Sequence, residues 1–354
     1  MKKTILRALK VVGVLVLLVA AIVGYNYVRH LIYWLPTEEV AFHSEDGTEL
    51  KGTLLMPAGE APYSAVVMLH GSGPEGRSGP GYRILSNTIA RSGVAVLFYD
   101  KRGVGESSGD FESALYSDFI ADAIAAVDYL AQRDDIDPSR IGLHANSEGG
   151  WFAPEIAVRT GKITYIFNRV SPAFSWIDTN LWETRNDLLA AGIAESDLEP
   201  LLAITLQRWQ YYIDAANDSS LAEGPARDAI NAKLARVRAE IPGAESEVPR
   251  ALAPYDAKAY DGYAADLGYD PVPFLEQLDI PMMYSYGETD INVPTADCVA
   301  FLEQFREAYD KDIEIVVIEG VGHPMATPRG LLYGGYDPEF MHMMRDFYAT
   351  KAIR

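Results

Sequence analysis

The 354-residue chain is 49% hydrophobic and 23% charged, the balance of a globular protein rather than a disordered or fibrous one. A formal net charge of −20 argues against nucleic acid as a partner, because phosphate binding needs a positive surface. The single cysteine, Cys298, excludes an intramolecular disulfide; it stands in a helical pattern (TADCVAFLEQF) and is expected to be a small buried residue.

The amino terminus departs from the globular pattern. Lys2, Lys3, Arg7 and Lys10 precede an apolar run from Val11 to Val28, followed by aromatic and apolar residues as far as Leu35. About 20 apolar residues cross a bilayer as helix, so residues 1–36 are expected to form a membrane anchor, with an amino-terminal signal peptide as the alternative. Basic residues before the run and Glu38 and Glu39 after it place the rest of the chain outside the cytoplasm, or secrete it if the segment is cleaved.

Beyond Thr37, EEVAFHSEDGTELKGTLLMP predicts two strands joined by a tight hairpin at Asp46 and Gly47. Apolar runs then follow at Ala65–Leu69, Val94–Tyr99, Ile141–Ala145, Tyr165–Val170, Pro281–Tyr286 and Ile313–Ile318. They alternate with helical patterns at Ser117–Arg133, Glu148–Arg159, Thr295–Tyr309 and Glu339–Thr350. Runs hydrophobic on both faces between amphipathic helices predict a mostly parallel sheet with helices on both sides, an α/β fold. From 175 to 270 the alternation stops in favour of helical, aromatic-rich sequence containing Trp176, Trp182, Trp209, Tyr211 and Tyr212. This stretch is expected to be a helical cap inserted between two parts of one core, 37–174 and 271–354.

The run Ile141–Ala145 leads straight into Asn146-Ser147-Glu148-Gly149-Gly150 and then a helical pattern. A serine on a sharp strand-to-helix turn is the context of a nucleophile, and the small residues around it, Ala145 and Gly149, suit a crowded turn. A serine hydroxyl needs a base with a pKa near neutrality. Of six histidines, His30 is at the membrane edge, His43 in the first hairpin and His70 in a loop; His144 is in a strand and His342 in a helix. His323, in Gly320-Val321-Gly322-His323-Pro324, alone follows the last apolar strand in a glycine-rich loop. The carboxylate that would orient it lies in the loop GETDINVP, as Glu288 or Asp290.

IGLHANSEGG resembles the nucleophile elbow of the α/β-hydrolases, especially their bacterial esterase and serine-aminopeptidase branch. The resemblance extends from about Glu38 to the carboxyl terminus and includes Leu69-His70-Gly71-Ser72-Gly73-Pro74 and YDKRGVGESSG, Tyr99 to Gly109. It implies that the backbone N–H groups of Ser72 and Glu148 form an oxyanion hole. It also implies that Asp290, at the aspartate of a G-x-x-D-x-x-V-P pattern, completes a Ser147, Asp290, His323 triad, with Glu288 in reserve. His70, Asp100 and Arg102 are expected to hold loops.

These parts predict a serine hydrolase acting on carboxylic esters through an acyl-enzyme, with no cofactor and no metal. A serine at the elbow argues against dehalogenase and epoxide-hydrolase chemistry. A peptidase acting on short or amino-terminal peptides is the alternative, with Glu183 or Asp187 of the cap available to a substrate ammonium; a non-catalytic, membrane-tethered binding module is a distant one.

Overall fold

A computed structural model describes residues 2–32, 35–254 and 256–352; the side chains of residues 2–8, 257–260 and 263 are outside that description. The basic side chains of Lys2, Lys3 and Arg7, and Tyr33 and Trp34 of the aromatic stretch, therefore lie outside the described residues. Helix α1 covers Lys2–Leu31, and within it Leu9–Leu31 has a mean hydropathy of 2.3; it is exposed along most of its length, and only its end, with Leu31, packs against the rest of the chain. It is the one described helix long and apolar enough to cross a membrane.

Eight strands form one sheet in the order β1-β2-β4-β3-β5-β6-β7-β8: β1 Thr37–His43, β2 Glu49–Leu55, β3 Tyr63–Leu69, β4 Val94–Tyr99, β5 Ile136–Asn146, β6 Ile163–Arg169, β7 Met282–Gly287 and β8 Ile313–Ile318. β2 runs antiparallel to both neighbours and all other pairings are parallel. The predicted two-residue hairpin is instead a five-residue loop, 44–48. His43 pairs with Glu49, Gly47 takes a φ of 87°, and Asp46 Oδ1 accepts the Thr48 N–H at 2.9 Å. The Asp-Gly pair makes the turn, but Ser44 and Thr48 close it with a 2.9 Å backbone bond before the ladder begins.

Two helices cover one face of the sheet, α2 Pro80–Arg91 and the last, Pro338–Phe347; they share a core with Val66, Met68, Val96 and Phe167. The other face is covered by α3 Tyr116–Ala131, α4 Gly149–Thr160 and Thr295–Tyr309, around Val67, Leu143 and Tyr284. Helix α2 escaped the strand-helix alternation read from sequence, although Pro80 at its first turn and Ile84, Leu85 and Ile89 on one face are its signal. Between β6 and β7 the chain forms α5 Trp176–Ala190, α6 Leu198–Asn217, α7 Pro225–Glu240, α8 Ala244–Glu247, α9 Ala257–Leu267 and α10 Val272–Leu275. Leu188, Leu201, Trp209, Tyr212, Leu234 and Leu252 give this segment an apolar cluster of its own. Helices α11 Thr295–Tyr309 and α12 Pro338–Phe347 complete the count.

The chain leaves β3 toward β4 on one side and later enters β5 on the other. The carboxyl ends of these two neighbours form the switch point where sheets of this kind bind ligands.

Candidate active site

Ser147 leaves β5 with a φ of 48°, the left-handed region a non-glycine residue enters only when its surroundings impose it. They do so here: the Ser147 N–H donates to Arg169 O of β6 at 2.9 Å, and Gly150 N–H returns to Ser147 O at 2.8 Å. The crowding that requires glycine differs from the sequence expectation. A Cβ on Gly149 would stand 2.7 Å from His70 O and 2.9 Å from Leu69 Cβ, so the close neighbour is the end of β3. One on Gly150 would stand 2.1 Å from Ser171 Cβ.

His323 follows β8 and Asp290 follows β7, and the structure brings both to Ser147. His323 Nδ1 lies 2.8 Å from Asp290 Oδ2, and Nε2 lies 3.1 Å from Ser147 Oγ. Because Asp290 can only accept when ionised, Nδ1 carries the ring proton and Nε2 is left to accept the serine hydroxyl. Asp290 is buried; its other oxygen accepts the N–H groups of Asn292 at 2.8 Å and Val293 at 3.0 Å, which fixes its plane. Glu288, the reserve, points elsewhere and accepts the Gly320 N–H at 2.8 Å. It ties the β7 loop to the loop that leads to His323.

The loop after β3 passes close to the serine, since a Cβ on Gly71 would be 3.5 Å from Ser147 Cβ. The Gly71 N–H donates to Glu75 Oε2 and Tyr82 Oη at 2.8 and 2.9 Å. The N–H groups of Ser72 and Glu148 have no acceptor among the described residues. His70 is buried, with Nε2 2.6 Å from Tyr99 O; burial, with Lys101 nearby, pushes its pKa down to about 3, so it stands neutral and donates to that carbonyl. Asp100 accepts the Arg77 N–H at 2.8 Å and the Glu106 N–H at 3.1 Å. Arg102 grips Asp122 through Nε at 2.8 Å and Nη2 at 2.6 Å. Both hold loops, as their positions in YDKRGVGESSG suggested.

Two residues of this neighbourhood were not singled out in the sequence. Lys101 is buried to 4% exposure, and its ammonium donates to Gly71 O at 2.6 Å, Gly73 O at 3.1 Å and Glu148 Oε2 at 3.1 Å. It thereby grips both neighbours of Ser72 and the side chain of Glu148, while Phe119 presents its ring 4.8 Å from the ammonium. Arg169 donates from Nη2 to Pro324 O at 2.8 Å and lies 5.4 Å from the Tyr336 ring centroid, bracing the segment behind His323. The signal for Lys101 was the run Asp-Lys-Arg between a strand and a glycine-rich turn; nothing local marks Arg169.

The inserted helices reach the site. Glu183 accepts from Asn292 Nδ2 at 2.7 Å and Asn186 donates to Ile291 O at 2.8 Å, so Glu183 is engaged with the Asp290 loop. A cavity of about 600 Å³ lies between the start of α3 and these helices, lined by Glu112, Tyr116, Trp176, Trp209 and Asp266 among others. Burial raises the Asp266 carboxyl to about 6, and burial with the nearby Glu148 carboxylate pushes the Tyr116 hydroxyl well above its ordinary range. Among the described residues no group of three or more His, Cys, Asp or Glu side chains could hold a metal ion. Cys298 is buried, and burial raises its thiol to about 12.

A mostly parallel sheet with helices on both faces, and a left-handed serine between β5 and α4, defines the α/β-hydrolase fold. The family model described as X-Pro dipeptidyl-peptidase (S15 family) matches residues 46–322, and the chain belongs to that family. Esterase EstD of Thermotoga maritima is 26% identical over 308 residues, which are 84% of this chain and 64% of EstD. YuxL of Bacillus subtilis, an uncharacterized peptidase, is 32% identical over 145 residues, 39% of this chain and 22% of YuxL. The chain thus spans less than two thirds of the length of either relative. The Pyrococcus furiosus esterase Pf2001 superimposes with a TM-score of 0.56 at 15% identity, covering 88% of this chain and 90% of that one. Est1E of Butyrivibrio proteoclasticus, solved with ferulic acid, gives 0.54 at 18% identity over 88% and 99%. At such identities the two structures bear on the fold alone.

Proposed function

We propose that this protein is a membrane-anchored serine hydrolase of carboxylic esters, with Ser147 as nucleophile, His323 as general base and Asp290 as its orienting carboxylate. The observation that carries the reading is the relay Asp290 Oδ2, His323 Nδ1, His323 Nε2, Ser147 Oγ, at 2.8 and 3.1 Å. As Ser147 Oγ attacks the ester carbonyl, its proton passes to His323 Nε2 and the carbonyl oxygen becomes an oxyanion. The N–H groups of Ser72 and Glu148, without an acceptor among the described residues, receive that charge, each worth about 3–4 kcal/mol to the transition state. His323 protonates the departing alcohol; water, deprotonated by the same nitrogen, then releases the acid from the acyl-enzyme.

In this reading residues 1–36 are the anchor or a signal segment, 37–174 and 271–354 the hydrolase core, and 175–270 a helical cap over the acyl or alcohol group. The catalytic domain lies outside the cytoplasm. Small-molecule esters are the substrates, no cofactor or metal is used, and nucleic acid is no partner. The aromatic lining of the 600 Å³ cavity supports an apolar substrate group.

A second reading, hydrolysis of short peptides, draws on the family match and on Glu112 and Asp266, carboxylates in that cavity available to an amino-terminal ammonium. The experiment is hydrolysis of p-nitrophenyl esters and aminoacyl p-nitroanilides by the full chain in detergent, beside Ser147→Ala. Ester turnover lost in the variant is the expected result, and preferential anilide turnover moves the assignment to a peptidase. Absence of both, with no labelling of Ser147 by a fluorophosphonate, overturns the catalytic reading in favour of a binding module.

A further inference from the structure

The apolar helix is fastened to the catalytic domain. At the carboxyl end of α1 the His30 ring meets Leu332 O at 3.1 Å through Nε2. Asn87 Nδ2 donates to His30 O at 2.7 Å and Ile32 O at 3.2 Å, and Arg91 Nη2 donates to Arg29 O at 3.3 Å. One face of the domain, made by α2 and the turn Pro328–Leu332, is therefore held at the point where the helix ends.

Length fixes the depth of that point. The 23 residues Leu9–Leu31 rise about 35 Å as helix, against roughly 30 Å of hydrocarbon, so the last turn reaches the headgroup layer. Tyr25 and Tyr27 are exposed there, as interfacial aromatics are. Of the large apolar side chains exposed beyond residue 32 among the described residues, two are consecutive, Leu331 at 54% and Leu332 at 48%, in the turn that receives His30. Arg29 and Arg91 stand on the same face of a chain whose net charge is −20, as does the exposed Arg329, which is paired with Asp337 at 3.4 Å; this cationic patch suits anionic headgroups.

A cavity of about 290 Å³ opens beside this face. Its walls include Tyr27 of α1, Pro80 and Ile84 of α2, Arg169, Pro324 and Tyr336. Pro324 follows His323 directly, and Arg169 O accepts the Ser147 N–H. The cavity thus lies between the end of the membrane helix and residues adjoining the site, Pro324 next to His323 and Arg169 beside Ser147, with neither Ser147 nor His323 in its wall. Its volume, at the lower edge of the about 300–1,000 Å³ of small-molecule pockets, suits a single chain or head group.

We propose that this face rests on the bilayer and that the cavity admits an amphiphilic ester directly from it, so that the substrate is a membrane lipid ester rather than a freely diffusing one. The proposal rests on the anchored-esterase reading above. Burial of Leu331 and Leu332 in the interface holds the cavity mouth at the depth of the ester bonds, and the arginines meet the headgroups.

The test uses the full chain reconstituted into phosphatidylcholine vesicles containing 10% phosphatidylglycerol by design and a long-chain monoacylglycerol, with p-nitrophenyl acetate as a water-soluble substrate in the same assay. The double variant Leu331→Asp, Leu332→Asp is expected to lower monoacylglycerol turnover by roughly tenfold or more, since two side chains move from the interface to water. Acetate turnover stays within about twofold of the parent. Equal turnover of the vesicle-borne ester by parent and variant overturns the proposal. A second readout is independent of catalysis: bimane attached to Leu331→Cys should be quenched by brominated phosphatidylcholine, whereas bimane on Tyr309→Cys, at the end of α11, should not. Selective labelling is possible because Cys298 is buried. Absence of quenching at 331 also overturns the proposal. If the parent hydrolyses neither ester, the esterase reading has failed, and the quenching still decides how the face lies.

Discussion

The carboxyl edge of the parallel sheet and the helices inserted between β6 and β7 are held by different forces. At the sheet edge, polar groups are buried and their hydrogen-bonding positions filled: Asp290 by three donors, Lys101 by two carbonyls and a carboxylate, and Arg102 by Asp122. The inserted helices rest on an apolar cluster, with Trp176 and Trp209 meeting edge to face at 4.9 Å, and touch the site through a few hydrogen bonds. Buried charge fails abruptly when one partner is removed, whereas an apolar cluster yields by degrees. The sheet edge is therefore suited to fixing reacting atoms and the helices to shaping what enters.

The sharpest break of that contrast is at the relay. Ser147→Ala is expected to lower ester turnover by about 10⁴-fold or more, and Asp290→Asn by about 10⁴-fold through loss of the correct histidine tautomer. Thermal midpoints should stay near the parent's for Ser147→Ala. Turnover by Ser147→Ala within tenfold of the parent would remove the serine from its proposed role.

The next largest effect belongs to Lys101. Glu148 carries a carboxylate beside a backbone N–H proposed to hold an oxyanion, an arrangement that would oppose the negative transition state were the ammonium 3.1 Å away not present. Lys101→Met should lower kcat by about 10²-fold with KM little changed, a loss comparable to that of one oxyanion donor. Adding Glu148→Gln should recover part of it, because the uncompensated charge is gone. If the double variant is as impaired as the sum of both single changes, Lys101 acts only through packing.

Legibility from sequence follows the same division. Ser147 and His323 were legible as candidates because each follows an apolar strand run in a short glycine-bearing loop; the loop after β7 left Glu288 and Asp290 open, and the preference for Asp290 came from the family resemblance. Lys101 and Arg169 were not legible, since their roles depend on partners 30 and 155 residues away. The central strands were readable as apolar runs buried on both faces, and the edge strand β8 as an apolar run although it is half exposed; α2 and the length of the first turn were not. Pairing across the sheet decides the turn, with His43 opposite Glu49 forcing five residues where the Asp-Gly pair suggested two.

In the inserted helices the expected effects are smaller and graded. Trp209→Ala removes an aromatic side chain from both the apolar cluster and the wall of the 600 Å³ cavity. KM for esters with bulky acyl groups should rise by about tenfold, one missing contact of roughly 1–2 kcal/mol, while kcat for an acetate ester stays within a few-fold. A parallel fall in kcat for both substrates would mean that the helices position the reacting atoms too.

The last effect is read in stability rather than turnover and tests the interior beneath the elbow. His144 is fully buried in β5, stacked on Phe167 at 5.0 Å with Nδ1 2.8 Å from Tyr348 Oη; burial, helped by Arg169, pushes its pKa down to about 3 from an ordinary 6.5. The unfolded chain takes up this proton near pH 6.5 and the folded chain only near pH 3. Stability is therefore intact above pH 6.5 and declines as pH falls toward 3, by about 1.4 kcal/mol per pH unit for each such group. His70, also depressed to about 3, acts in the same direction. Asp266, raised to about 6, acts in the opposite one, because between its ordinary 3.8 and 6 the folded state holds the proton more tightly. His144→Phe keeps the stacking surface and removes one titration, so its unfolding free energy should fall less steeply than the parent's between pH 6.5 and 4, by one proton's worth of slope. Denaturant melts at pH 7, 5.5 and 4 measure it, and parallel slopes would mean that His144 is already protonated in the fold.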